Sequence, residues 1–313
     1  MGFTLSNSRL YKKVRNFIRP YYLLMFKSRS YIEKDVKYRM RDWNVDISLP
    51  ENEKADALES ILLGKLNYRH TSEYKTAVLF AMPKSASLFT IQLLASSLNY
   101  MNHQIGFNEG SGEIYYPRMV LAATAHSNTI SHCHSQPYSN VVQIIDNFNI
   151  KPIVLYRNLP DVIASRKDML VKDKGAKDFL PQEAVSNFLN SSEDDQLQVT
   201  IDLFADQYIN FYQSWAEQKE RLSPLFIRYE DVVEDKNKVV QQVAHKLGET
   251  VSSETVEEVS NNINSLGGIN FNKGIKYRGE NLLKNHHLEV LSKKAKMFNC
   301  KDEEFLGLSH TGN

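Results

Sequence analysis

The chain has 313 residues, 42% of them apolar and 24% charged, with a formal net charge of +1. That balance suits one large α/β domain or two smaller ones and excludes the field of a polyanion-binding protein, so no nucleic-acid partner is expected. The two cysteines, Cys133 and Cys300, give no disulfide framework and fit a reducing, cytoplasmic setting.

In chain order, residues 1–70 read as an N-terminal helical extension, with residues 71–313 as one α/β domain. Lys12, Lys13, Arg15 and Arg19 precede the short apolar run Tyr21 to Phe26, which predicts a helix with an aromatic face that docks on the domain or on a partner. No apolar run reaches the ~20 residues needed to span a bilayer, so no transmembrane segment is expected. Ala55, Leu58, Ile61 and Leu62 then recur at helical spacing.

Ala77 to Met82 is a continuous apolar run with the length of a buried strand. Pro83 marks its end, because proline cannot donate to a sheet ladder. Leu88, Ile91, Ala95 and Leu98 fall on one helical face, and Ser85 and Ser87 are suitable N-cap residues. A strand entering a helix through such a turn aims backbone N–H groups at one spot, where Lys84 adds a positive charge. The spot suits an anion. It is not a Walker A loop, whose two glycines are missing.

His132-x-His134 reads as a strand with both imidazoles on one side, and no C-x-x-C or H-E-x-x-H spacing accompanies it, so no metal is expected. Lys151 to Arg157 is the next apolar run and again ends on a cation, Arg157, before a helix opened by Pro160 and Asp161. Two such units argue for a parallel sheet with ligand at the strand C-termini. Residues 171–198 read as a long polar excursion, expected to be a lid over an acceptor pocket. Phe204, Tyr208, Phe211, Tyr212 and Trp215 form an aromatic helical stripe, expected in the core. Leu225 to Tyr229 is a third buried strand, and Lys284 to Phe298 a basic surface helix.

Five segments in order carry a resemblance. Pro83-Lys84-Ser85-Ala86-Ser87-Leu88-Phe89 resembles the P-K-S-G-T-T-W signature of the sulfotransferase family, and Ser131-His132 its K-T-H or K-S-H segment. Tyr156-Arg157-Asn158 through Ser165 resembles its Y-R-N-P-K-D-x-x-x-S, Tyr229-Glu230-Asp231 its Y-E-D, and Phe271-Asn272-Lys273-Gly274 its late F-x-R-K-G loop. The resemblance covers roughly residues 74–298.

It implies a three-layer α/β/α fold on a parallel sheet with a P-loop-like strand–turn–helix, and the donor 3′-phosphoadenosine 5′-phosphosulfate. Its sulfuryl group would pass to a hydroxyl or amine of a small-molecule acceptor, with a secondary metabolite as one option. Lys84, Ser85, Ala86, Ser87 and Leu88 would hold the 5′-phosphosulfate. Arg157, Ser165, Asn272, Lys273 and Gly274 would hold the 3′-phosphate, with Phe271 in the same loop. Phe89 and Tyr229 would contact adenine. His132 would be the general base, with His134 as its competitor, and Lys84 would stabilise the leaving charge. Ala86, Leu88, Phe89, Ile130 and Asn272 depart from the family pattern, which keeps open a non-catalytic nucleotide-binding protein of the same fold. A nucleotide-dependent kinase is the remaining alternative.

Overall fold

The computed structural model describes residues 73–103, 105–109, 112–115, 120, 127–172, 175–265 and 276–307. The expected extension over residues 1–70 and the loop Phe271-Asn272-Lys273-Gly274 lie outside them.

Five strands form one sheet: β1 (Thr76–Ala81), β2 (Met101–Asn102), β5 (Thr129–Cys133), β6 (Lys151–Tyr156) and β7 (Leu225–Arg228). Their order is β2-β5-β1-β6-β7, and every pairing is parallel. The three apolar runs of the sequence are β1, β6 and β7. Each residue of β1 is buried, as expected of a central parallel strand covered on both faces. A separate antiparallel pair, β3 (Gly106–Glu109) and β4 (Gly112–Tyr115), lies in a region without a clear sequence pattern.

Three layers result. One sheet face presents Ala77, Leu79, Ala81, Ile130, Ile153, Leu155 and Ile227 to α1 (Ser87–Leu98), α9 (Lys236–Leu247) and α10 (Ser253–Ser265), through Leu93, Leu94, Val239, Val243 and Val256. The other face packs on α6 (Glu193–Ala216), where Phe80 lies 4.3 Å from Trp215 and Tyr156 lies 4.9 Å from Tyr212, centroid to centroid. The aromatic stripe is therefore core. Trp215 also donates its indole N–H to the Ser135 carbonyl at 3.2 Å, which satisfies its buried polar edge.

The polar stretch 171–198 is mainly helical. After α3 (Leu159–Lys172) come α4 (Ala176–Phe179) and α5 (Gln182–Asn190), and α6 begins at Glu193. Gln196, buried in the first turn of α6, donates to the carbonyls of Phe188, Leu189 and Ser191, closing the end of α5. Polarity alone hid these helices, because they are short and two of them start without a side-chain cap. Ser192 caps α6 by accepting from the Asp195 N–H. Among the described residues no helix is long and apolar enough to cross a membrane.

Candidate active site at the C-terminal edge of the sheet

Because all strands are parallel, their C-terminal ends share one edge. The chain leaves β1 for β2 and β5 on one side and then crosses to β6 on the other, so the topology switches at β1. Open α/β sheets bind ligands at such a point. The edge carries His134 after β5, Lys84 after β1, Arg157 after β6 and Tyr229 after β7.

The turn after β1 is unusual. Lys84 and Ala86 both have left-handed backbones, with φ of 70° and 59°. Ala86, rather than a serine, is the N-cap residue of α1, and no side chain caps the helix. The Ser85 hydroxyl donates back to the Met82 carbonyl, tightening the turn, and Ser87 is the first helical residue. The first-turn N–H groups of a twelve-residue helix thus meet no side-chain acceptor at the cap, which is the arrangement that receives anions. Leu88 is 57% exposed in that first turn.

Ala86 keeps the conformation that a glycine would adopt without cost. An alanine in that conformation carries backbone strain. Replacing Ala86 by Gly should therefore raise stability by about 1 kcal/mol, read as an upward shift in the denaturation midpoint. A drop instead would mean that the turn relies on the alanine methyl.

Phe89 is 1% exposed and belongs to the core between α1 and the sheet. Its ring is packed by the chain itself. Tyr229 is also buried. One face of its ring lies 4.1 Å from the Arg157 guanidinium carbon, a cation–π pair within the protein. The sequence pattern could place these rings near the edge but not show which atoms would cover them.

Arg157 joins the strand ends. Its Nη1 donates to the Lys84 carbonyl at 3.4 Å and its Nη2 to Asp161 Oδ2 at 3.2 Å. Asp161 does more than complement a helix dipole. It also accepts from the backbone N–H of Tyr277 at 2.9 Å and of Gly279 at 2.6 Å, which seats α11 (Arg278–Leu282) on α3. Ser165 is buried one turn beyond Asp161. Near it the sequence reading missed a cation: Arg278 donates to the Ala164 carbonyl and pairs with Asp168 at 2.8 Å. Its R-G-E context carries no recognisable signal.

The two histidines differ. His132 lies opposite Leu79 on the apolar face of β5, and its Nε2 is buried without a hydrogen-bond partner among the described residues. Burial, with the neighbouring His134 ring, pushes its pKa down to about 4. His134, just past the strand, is exposed and its Nδ1 sits 2.6 Å from the Ala81 carbonyl. A carbonyl only accepts, so Nδ1 carries the proton and Nε2 the lone pair in the neutral ring. The two rings are 4.8 Å apart, edge to face. His134 is thereby pinned to the end of β1, three residues before Lys84.

Away from this edge, Asp194, His286 and His287 bring potential metal-ligand atoms within 4.8 Å of one another. His287 is committed at both nitrogens: Nδ1 accepts from the Lys284 N–H and Nε2 donates to the Asp194 carbonyl, each at 3.2 Å. It acts as a helix-capping residue.

The model of the sulfotransferase domain matches residues 75–267. Solved structures of similar fold include mouse sulfotransferase SULT7A1 complexed with PAP. It is 15% identical, with a TM-score of 0.55, over 80% of this chain and 92% of that one. Retinol dehydratase in complex with androsterone and the inactive cofactor PAP is also 15% identical, with a TM-score of 0.53, over 74% of this chain and 82% of that one. No curated protein sequence matches. The family model spans more than half of the chain, from the first residues before β1 to the end of α10, and the chain belongs to the sulfotransferase family.

Proposed function

We propose that this protein transfers the sulfuryl group of 3′-phosphoadenosine 5′-phosphosulfate to a hydroxyl or amine of a small-molecule acceptor. The observation that carries this reading is the turn 82–87 at the switch point. It joins two left-handed residues and an uncapped helix N-terminus to Arg157, on the neighbouring strand end. A donor with phosphate groups at both ends of its ribose needs two cationic sites on one sheet edge, where Lys84 and Arg157 would supply them. The turn and Lys84 would take the 5′-phosphosulfate. Arg157 and Ser165 would take the 3′-phosphate, since the guanidinium fork matches phosphate. The PAP bound by the two similar structures supports the same donor chemistry.

His134 is the proposed base. Its Nε2 would take the acceptor proton as the acceptor oxygen or nitrogen bonds to sulfur. The bond from sulfur to the bridging phosphate oxygen breaks, and its electron pair leaves on that oxygen. Lys84 would stabilise the charge developing there. His132, held neutral by burial, would pack behind His134.

Calorimetry tests the donor assignment. Adenosine 3′,5′-bisphosphate should bind at least about tenfold more tightly than ATP–Mg²⁺, since the turn lacks the Walker A glycines. Preference for ATP–Mg²⁺ would overturn the reading in favour of a kinase. Tight bisphosphate binding without transfer to any hydroxyl or amine acceptor would favour a non-catalytic binder.

A further inference from the structure

Arg157 is held by a chain of buried groups that ends at a residue with no place in the transfer chemistry. Asp161 fixes its Nη2, as described. Asp161 is itself fixed at its backbone, where its N–H donates to Asn158 Oδ1 at 2.8 Å and caps α3. The orientation of that amide is decided by Glu230. Its Oε1 accepts from both the backbone N–H of Asn158 at 3.2 Å and the side-chain Nδ2 at 3.1 Å. A carboxylate acceptor at that point forces the NH₂ end of Asn158 toward Glu230 and the oxygen toward α3. The reversed amide would face two donors toward each other at the α3 cap. Glu230, Asn158, Asp161 and Arg157 are all buried, so water offers no alternative partners.

We infer that Glu230 is a positioning residue for nucleotide recognition: acting through Asn158 and Asp161, it sets the Arg157 guanidinium and with it the preference for a nucleotide that carries a 3′-phosphate. The inference rests on the donor reading above, in which Arg157 meets that phosphate. What the relay requires of residue 230 is an acceptor at the reach of a glutamate, not a charge.

Two conservative variants separate reach from charge. Glu230→Gln keeps the length and an acceptor oxygen but removes the charge. Glu230→Asp keeps the charge but withdraws the acceptor by about one methylene, roughly 1.5 Å. Affinities for adenosine 3′,5′-bisphosphate and adenosine 5′-monophosphate would be measured by calorimetry on the full chain, with thermal melts alongside. The unaltered protein should prefer the bisphosphate by about 100-fold, the effect of one or two charge-assisted hydrogen bonds. Glu230→Asp should lose about tenfold of that preference, while its affinity for the monophosphate changes little. Glu230→Gln should keep the preference within about threefold.

The opposite ordering, with the preference kept by Asp and lost by Gln, would overturn the relay. So would an equal loss for both nucleotides in Glu230→Asp, which marks a general structural role. An unaltered protein that does not distinguish the two nucleotides would overturn the donor reading itself. A preference that survives in both variants overturns the relay alone.

Discussion

Replacing His134 by Ala should lower turnover at saturating donor by about 10²–10⁴-fold, the range a general base contributes. His132→Gln should cost less than about tenfold, because it would remove a ring that packs behind the base instead of the base itself. The geometry makes the asymmetry specific. The Ala81 carbonyl holds His134 in the tautomer with its lone pair on Nε2, whereas His132 sits against Leu79 with its Nε2 buried.

Acidity provides an independent reading of the same choice. A His132 base would stay unprotonated, and activity would persist on the acid side, down to about pH 4. Activity that persists to about pH 4 in the parent and is lost in His132→Gln would mark His132 as the base. His132 bears on stability in the opposite sense from a salt-bridged histidine. Its folded pKa is depressed, so the unfolded chain binds the proton first, and stability falls as pH drops from about 6.5 toward about 4. That drift should be reduced in His132→Gln. Full turnover in His134→Ala would sink the assignment.

Gly279→Ala should be the most damaging single methyl in the described structure. A Cβ there would lie 2.1 Å from the Pro160 carbonyl carbon, 2.2 Å from its oxygen and 2.5 Å from the Asp161 nitrogen. All three are backbone atoms at the start of α3, fixed by the Asn158 cap, and none can rotate away. The methyl can fit only if α11 lifts from α3, breaking the bonds that Tyr277 and Gly279 donate to Asp161. A buried carboxylate would then lose two of its donors. The expected cost is at least about 3 kcal/mol, or roughly 5–10 °C in the melting temperature. Gly175→Ala is the control. Its Cβ would meet the Met169 carbonyl at 3.3 Å, the flexible end of that side chain at 3.4 Å and the Leu170 Cα at an ordinary 3.8 Å, and its backbone is already helical. That change should stay within about 1 kcal/mol. A Gly279→Ala protein as stable as the parent would show that α11 is not seated as described.

The legible parts of this fold were those with a one-dimensional signal. Strands β1, β6 and β7 appear as apolar runs that end at Pro83, Arg157 and Tyr229, and parallel pairing follows from burial on both faces. The cations of the edge, Lys84 and Arg157, were equally visible, because each ends such a run. What stayed hidden was partnership. Asp161 looked like an ordinary acidic residue in a first helical turn, yet it is the seat for a segment more than a hundred residues later. The packing of Phe89 and Tyr229 was equally hidden: one lies in the core and the other under Arg157. Glycine at 279 gave no warning, since its necessity arises from a neighbour that only the fold supplies.

The central position of β1 also has a consequence for synthesis. Both of its edges are filled by later strands: Ala77 pairs with Ile130 on one side and with Lys151 on the other. At ~5–20 residues per second, β6 would leave the ribosome roughly 4–15 s after β1. For that interval the most apolar strand of the protein has no partner on one side, and its exposed edge can join a like strand of another nascent chain. Expression from a strong promoter should therefore depend on chaperones that bind extended apolar segments, more than the stability of the finished fold would suggest.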